Sequence, residues 1–422
     1  MNDAAHSSPA SLVPSPSKEL VHRTAALVRR GLRSLVAPPE RILDFPDERS
    51  IGTLYFQYDR EDWFWQRKSC EARGLIRVPA NEPIRLEFRS DAAHYVSVLA
   101  KLGPNDVQRL FLAELEIDDS ELRYLSHLTG LLGLYLSRTP VSDAGLEHLS
   151  QLSALDELHL SGTKVGDQAL RMLRNHEVLV DLSMSDTAVG DAGLAFLPAL
   201  QRLEELDLSR TQISDAGASS LADLTSLKEL DLSGTRIGDV ALKQLQKATW
   251  LEWLTLTATR VTDAGMDYIA NLVGLHHLQL GETLVTDRGV SKLRALANLA
   301  SLDLSATGVT AEGLLALQDL PQLGDIDVTD TGLSEADVDR LRKVMPHLSN
   351  VTDGDTDARC AHCGQPNHKG SKVVGDLLTC RYCKTQYRLG EAFRPPTRDQ
   401  MIQRTQDIID KLEPIPRAPT EP

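Results

Sequence analysis

Hydrophobic residues in the middle of the chain follow two alternating spacings. In Leu131–Leu152, LLGLYLSRTPVSDAGLEHLSQL, leucines come first at every second residue and then at every third. Period-two alternation predicts a short strand with Leu134 and Leu136 pointing inward, and the three-residue spacing predicts a helical or 3₁₀ segment running back. Such copies begin at Val107, Leu131, Leu155, Leu179, Leu203, Leu227, Leu251, Leu275, Leu299 and Leu323, each 24 residues after the last. No insertion breaks the register, so each copy reads as one layer of a solenoid.

Packing distances turn this pattern into a shape. Strands stack about 4.8 Å apart, whereas helices side by side need roughly 8–10 Å. The stack must therefore curve, with the strands inside. The predicted fold is an α/β solenoid, an arc of about ten to eleven 24-residue repeats with parallel strands on the concave face. Residues 83–106 fit as a divergent first repeat, because Leu86 and Phe88 fall on the two core positions of a strand. Residues 40–82 alternate β-branched and aromatic residues with Gly, Pro and Asn, and read as a cap of short strands that covers the apolar end. Cys70 and the cluster Trp63, Phe64 and Trp65 lie in this cap and read as core. At the other end, the polar helix SEADVDRLRKVMPHL closes a repeat domain spanning 83–348.

The idealised copy, L-x-x-L-x-L-S-x-T-x-V-x-D-A-G-L-x-x-L-x-x-L, resembles the leucine-rich repeat family. Its second half is similar to the cysteine-containing subclass found beside F-boxes, with Thr where that subclass has Cys. The resemblance implies that the Thr ladder (Thr139, Thr163, Thr187, Thr211, Thr235, Thr259, Thr283, Thr307, Thr331) bonds backbone groups left free where each strand turns. The Asp column, Asp119, Asp143, Asp167, Asp191, Asp215, Asp239, Asp263 and Asp287, suits the N-cap or first turn of each helix. Its register and period differ from those of calcium-binding nonapeptide repeats, so it reads as structural.

The family also implies that function sits on the outward strand positions of the concave face. One such column runs Phe111, Tyr135, His159, Ser183, Asp207, Asp231, Thr255, Gln279; its neighbour runs Arg109, Gly133, Glu157, Asp181, Glu205, Glu229, Trp253, His277. Glu157, Asp181, Glu205, Asp207, Glu229 and Asp231 form an acidic stripe. Phe111, Tyr135 and His159 flank it on one side, Trp253 and His277 on the other. Like charges one strand apart repel, and exposed aromatics are typical anchors of interfaces. These eleven residues are the candidate partner-binding site, and a cationic protein segment is the expected partner.

Charge agrees. Residues 107–348 hold 19 Lys/Arg against 36 Asp/Glu, while the whole chain has a net charge of −15. The acidity therefore belongs to the repeats, and it disfavours phosphate backbones. The remaining segments are basic or polar. Residues 1–17 are Ser/Pro/Ala-rich and expected to be disordered; 18–39 carry a basic amphipathic helix that docks internally or on a surface. Nothing resembles a secretory signal or a membrane span, so the expected location is cytoplasmic.

After a linker at 349–357, Cys360 and Cys363 form one C-x-x-C pair and Cys380 and Cys383 a second, with 16 residues between the pairs. Four thiolates so spaced suit a tetrahedral structural zinc site, and the module at 358–395 resembles a zinc ribbon; a rubredoxin-like iron site is the alternative. Strands are expected at Val373–Val374, Leu377–Thr379 and Gln386–Arg388, then a helix at 396–413 and a tail at 414–422. The basic residues of the ribbon leave open a regulator that binds nucleic acid there and recruits protein through the repeats. No phosphate loop, Ser/His/Asp spacing or open metal site is evident. His159 and His277, the candidate bases, are separated by four layers and have no nucleophile, so no catalysis is expected.

Overall fold

The computed structural model describes residues 40–56, 69–80 and 82–352, and the backbone of three strands at 372–374, 377–379 and 386–388. The segment 1–17, the helix at 18–39, the Trp63–Trp65 cluster, the four cysteines of the two pairs and the helix at 396–413 lie outside the described residues.

The cap contributes β1 (Glu40–Asp44), β2 (Gly52–Phe56), β3 (Ser69–Glu71) and β4 (Leu75–Pro79), followed by β5 (Ile84–Phe88). β1 and β4 form an antiparallel pair. β2 runs antiparallel to both β3 and β5, which places half-buried Cys70 opposite Leu54. β5 then pairs in parallel with β6 (Arg109–Phe111), with Leu86 beside Leu110, so residues 83–106 form the first layer of the stack. β7 to β15 follow at Gly133–Tyr135, Glu157–His159, Asp181–Ser183, Glu205–Asp207, Glu229–Asp231, Trp253–Thr255, His277–Gln279, Ser301–Asp303 and Asp325–Asp327. Each is parallel to its neighbours in a 14-stranded sheet. The sheet continues into the segment read above as linker. After the capping helix Glu335–Val344, β16 (Asn350–Thr352) adds to β15, with Val351 beside Ile326 and only 6% exposed.

The leucine columns form one continuous core from Leu43 to Val351. Every Thr of the ladder donates its hydroxyl to the carbonyl three residues back, at 2.6–2.7 Å, from Thr139 to Leu136 through to Thr331 to Val328. The Asp column works differently from a simple cap of its own helix. Asp143, Asp167, Asp191, Asp239 and Asp287 do begin helices, but their carboxylates reach forward one layer. Asp263 accepts from the N–H (2.8 Å) and hydroxyl (2.7 Å) of Thr286 and from the N–H of Gly289 (3.0 Å). Each Asp thus satisfies the open N–H groups at the next helix start and staples neighbouring layers together. At Asp119, Asp191, Asp239, Asp263 and Asp287 both oxygens are occupied by these donors, which agrees with a structural role.

This explains the glycine of D-A-G. A Cβ at Gly193 would lie 2.6 Å from Asp167 Oδ1, and one at Gly289 would lie 2.5 Å from Asp263 Oδ1. Where Ala169 and Ala241 stand instead, the following segments are seven-residue α-helices, Asp167–Leu173 and Asp239–Leu245, in place of the usual short helical turn. Asp263→Ala strands the N–H and hydroxyl of Thr286, whereas the Gly289 N–H keeps the Thr286 carbonyl at 3.0 Å, and is expected to cost about 1–2 kcal/mol, read as a lower Tm.

One ladder was not visible in the sequence reading. After each inner strand one residue takes a left-handed conformation, as at Arg138 (φ +58°), Gly162 (φ +69°), Arg210 (φ +54°) and Gly234 (φ +65°). Its N–H then continues the inter-layer ladder, Arg138 to Ser161 at 2.7 Å and Arg210 to Ser233 at 2.7 Å. The signal was present only as the occasional Gly in S-x-T. Elsewhere the layers carry about 1 kcal/mol of strain at this position for the sake of the bond.

Candidate binding face

Parallel register brings both outward columns together as expected. Glu157, Asp181, Glu205, Glu229, Trp253 and His277 stand side by side on successive strands, as do Phe111, Tyr135 and His159. The eleven candidate residues therefore share one surface. They do not share one role.

The part nearest the N-terminus is internally satisfied. Phe111 stacks on Tyr135 with ring centroids 3.8 Å apart, and Tyr135 leans on His159 at 4.7 Å. The Tyr135 hydroxyl donates to Glu157, which also pairs with Arg109. Burial, and after it the hydrogen bond to the Glu157 carboxylate, raise the Tyr135 phenol well above its ordinary pKa. His159 Nε2 lies 2.9 Å from Asp181 Oδ2. Glu157 and Asp181 thus belong to a network with partners of its own.

The middle of the stripe is not neutralised. Asp207 and Asp231 lie at strand ends and brace the turns that follow: Asp207 accepts from the N–H of Ser209 (3.0 Å), Asp231 from the N–H (2.8 Å) and hydroxyl (2.5 Å) of Ser233. Asp303 and Asp327 do the same for Ser305 and Thr329. The aspartates of this column therefore have a structural reason despite their mutual repulsion: each holds the turn that follows its strand. Glu205 and Glu229 carry no such duty. Both are exposed, adjacent across β10 and β11, and among the described residues no cation pairs with either. Burial first, then the charges of Asp181, Glu229, Glu157 and Glu204, raise the pKa of Glu205. Burial likewise dominates at Asp231 and raises its pKa, with Asp207 adding to it against the opposing bonds from Ser233.

These carboxylates border a cleft of about 390 Å³ that runs from His159 and Asp181 to Trp253 and Thr255, with Leu206 and Leu230 in its floor. Trp253 forms the far wall. Its ring stacks on His277 at 4.2 Å and 23°, and its Nε1–H donates to Thr255 Oγ1 at 3.1 Å. The cleft thus has an apolar floor, an acidic rim and an aromatic wall.

A raised carboxylate pKa means that ionisation opposes folding, so this penalty is present at neutral pH and fades as pH falls through the raised value. Glu205→Gln is therefore expected to raise Tm at neutral pH, by less than about 1 kcal/mol because solvent screens the site. The advantage should shrink on acidification. Thermal melts of both chains between about pH 7.5 and about pH 4.5 check this; an advantage that grows on acidification contradicts it.

Among the described residues no helix is long and apolar enough to cross a membrane.

Stacked parallel strands, a leucine core and 24-residue layers make this a leucine-rich repeat solenoid. The family model described as Leucine Rich repeats (2 copies) matches residues 179–244. An internalin from Listeria monocytogenes, solved by crystallography, is similar in fold: TM-score 0.50, 20% identity, 65% of this chain and 87% of the internalin chain covered. No curated protein matches the chain. The matched repeats at 179–244 and the similar fold both support the leucine-rich repeat character of the 24-residue layers.

Proposed function

We propose that this protein is a non-catalytic interaction scaffold whose concave face takes a basic segment of a partner protein. One observation carries the reading: Glu205 and Glu229 stand side by side at the rim of a cleft, exposed and without a cation among the described residues. An uncompensated pair of this kind is costly to the free protein and is relieved by a cationic ligand. Asp207 and Asp231 deepen the negative field, and Trp253 with His277 supplies a rigid aromatic edge. Phe111, Tyr135, Glu157, His159 and Asp181 frame the other end of the same surface. A cytoplasmic location is part of this proposal, supported by the two C-x-x-C pairs, whose thiolates suit a reducing compartment.

Titration of the full chain with a Lys/Arg-rich peptide, followed by tryptophan fluorescence, tests it. Saturable binding that falls with salt is expected, against none for a neutral peptide of equal length. Equal responses to the two peptides, or cross-links confined to the outer helices, would overturn the proposal.

The second module is proposed to be a structural zinc ribbon. Its support is the sequence chemistry of Cys360, Cys363, Cys380 and Cys383 together with three antiparallel strands between and after the pairs. β17 (Lys372–Val374), β18 (Leu377–Thr379) and β19 (Gln386–Arg388) pair through Val373–Leu378 and Leu378–Tyr387. Four protein thiolates would hold the ion tetrahedrally, leaving no open position for chemistry. A nucleic-acid role for this module has no observation among the described residues behind it, and the acidic repeats work against phosphate binding.

A further inference from the structure

The concave face contains a cation already docked on it. Arg85 of β5 lays its guanidinium over the Phe111 ring, with Cζ 3.9 Å from the centroid, and 5.1 Å from the Tyr55 centroid on its other flank. The Glu87 carboxylate accepts from Arg85 Nη2 at 3.0 Å. A planar cation is thus held between aromatic faces and tied at its edge by a carboxylate. Six and seven layers further along, the same ingredients recur without the cation. Trp253 has one face stacked on His277, 4.2 Å away. Glu229 stands next to Trp253 in the parallel register, on the side away from His277, and Glu205 lies one strand beyond. Among the described residues no Arg or Lys lies over the Trp253 ring.

We infer that the Trp253–Glu229–Glu205 end of the cleft is an arginine subsite, which takes the guanidinium of a partner's arginine in preference to a lysine ammonium. This rests on the reading of the concave face as the binding surface and specifies its ligand. Arginine fits for three reasons. Its guanidinium is planar and stacks on an indole, whereas an ammonium is a compact, strongly hydrated point charge. Its fork of donors satisfies two acceptors at once, and Glu205 and Glu229 present acceptors on adjacent strands about 4.8 Å apart. The cleft, at about 390 Å³, accommodates a side chain of that size between Trp253 and the carboxylates. Both sites combine an aromatic face with a carboxylate beside it; at the first the cation is supplied by this chain, and at the second it would come from a partner.

The test uses the unaltered full-length protein and three peptides identical except at a central residue, which is arginine, lysine or the uncharged isostere citrulline. Trp253 reports occupancy through its fluorescence, with Trp253→Leu as the control that assigns the signal. Arginine is expected to bind about tenfold more tightly than lysine, and citrulline to lose most of the affinity. With affinities read by isothermal titration, Trp253→Leu should remove the preference for arginine while retaining the weaker, salt-dependent binding of both cationic peptides, and its circular dichroism checks the fold. Equal affinity for arginine and lysine overturns the subsite but leaves the basic-segment reading standing. If neither cationic peptide binds, either to the full chain or after deletion of residues 1–39, both readings are overturned. Binding that appears only after deletion of residues 1–39 would show that this chain's own basic segment competes for the cleft, and would overturn a partner as the source.

Discussion

Replacing Glu205 and Glu229 with lysine is expected to weaken binding of a basic segment by about 100-fold or more, and to leave the repeats as stable as before or slightly more so. Each reversal removes an attractive charge and adds a repulsive one at the centre of the cleft. Neither glutamate accepts a hydrogen bond that the fold needs, and both lie on the exposed side of their strands. The new lysines would also face Asp207 and Asp231, which stay in place. Extending the change to those two aspartates should abolish the remaining binding but also lower Tm, because the Ser209 and Ser233 N–H groups lose their acceptors, at about 1–2 kcal/mol each. The double and quadruple variants thus separate function from stability. Isothermal titration with thermal melts on the same samples measures both. An affinity in the double variant within about threefold of the parent would remove the concave face from consideration.

Loss of the four thiolates is expected to have the second large effect, confined to the C-terminal module. A structural zinc site of this type contributes about 10–16 kcal/mol of apparent binding free energy, far more than some 40 residues derive from a core of their own. Chelation of the full-length chain, or Cys380→Ser with Cys383→Ser, should therefore unfold the ribbon and release about one metal ion per chain. Hydrogen exchange would reveal the loss as rapid labelling of β17, β18 and β19, with the sheet from β5 to β16 still protected. Metal analysis would separate zinc from iron. Exchange protection at Leu377–Thr379 that persists in the chelated protein would contradict a metal-dependent fold.

The two stretches differ in how much of them was legible beforehand. For the repeats, the 24-residue register placed Leu134, Leu158, Leu182 and their successors on one inner column, and in the structure they are paired side by side and buried. The Thr hydroxyls also do what their position implied, because that bond spans only three residues. The Asp column was less legible. Its side chains act on the next layer, so that the partner of Asp263 is Thr286, 23 residues away. A helix-capping residue and an inter-layer staple look alike in sequence.

The acidic stripe shows the same limit at the functional face. Six carboxylates appeared equivalent because each occupied an outward strand position. The tertiary arrangement divides them: Glu157 is taken by Arg109 and Tyr135, Asp181 by His159, and Asp207 and Asp231 by their turns. Only Glu205 and Glu229 remain with nothing to neutralise them among the described residues.

By itself the sequence determined the layered architecture, the strand register and the shared surface of the candidate residues. It could do so because periodicity is a local property that a solenoid repeats without change. Which carboxylates are free, and that an open aromatic wall stands beside them where Phe111 already has its arginine, only the tertiary structure decided. Both depend on rotamers and on the bonds each oxygen has already made with residues of its own layer or one or two layers away, and no spacing along the chain encodes those.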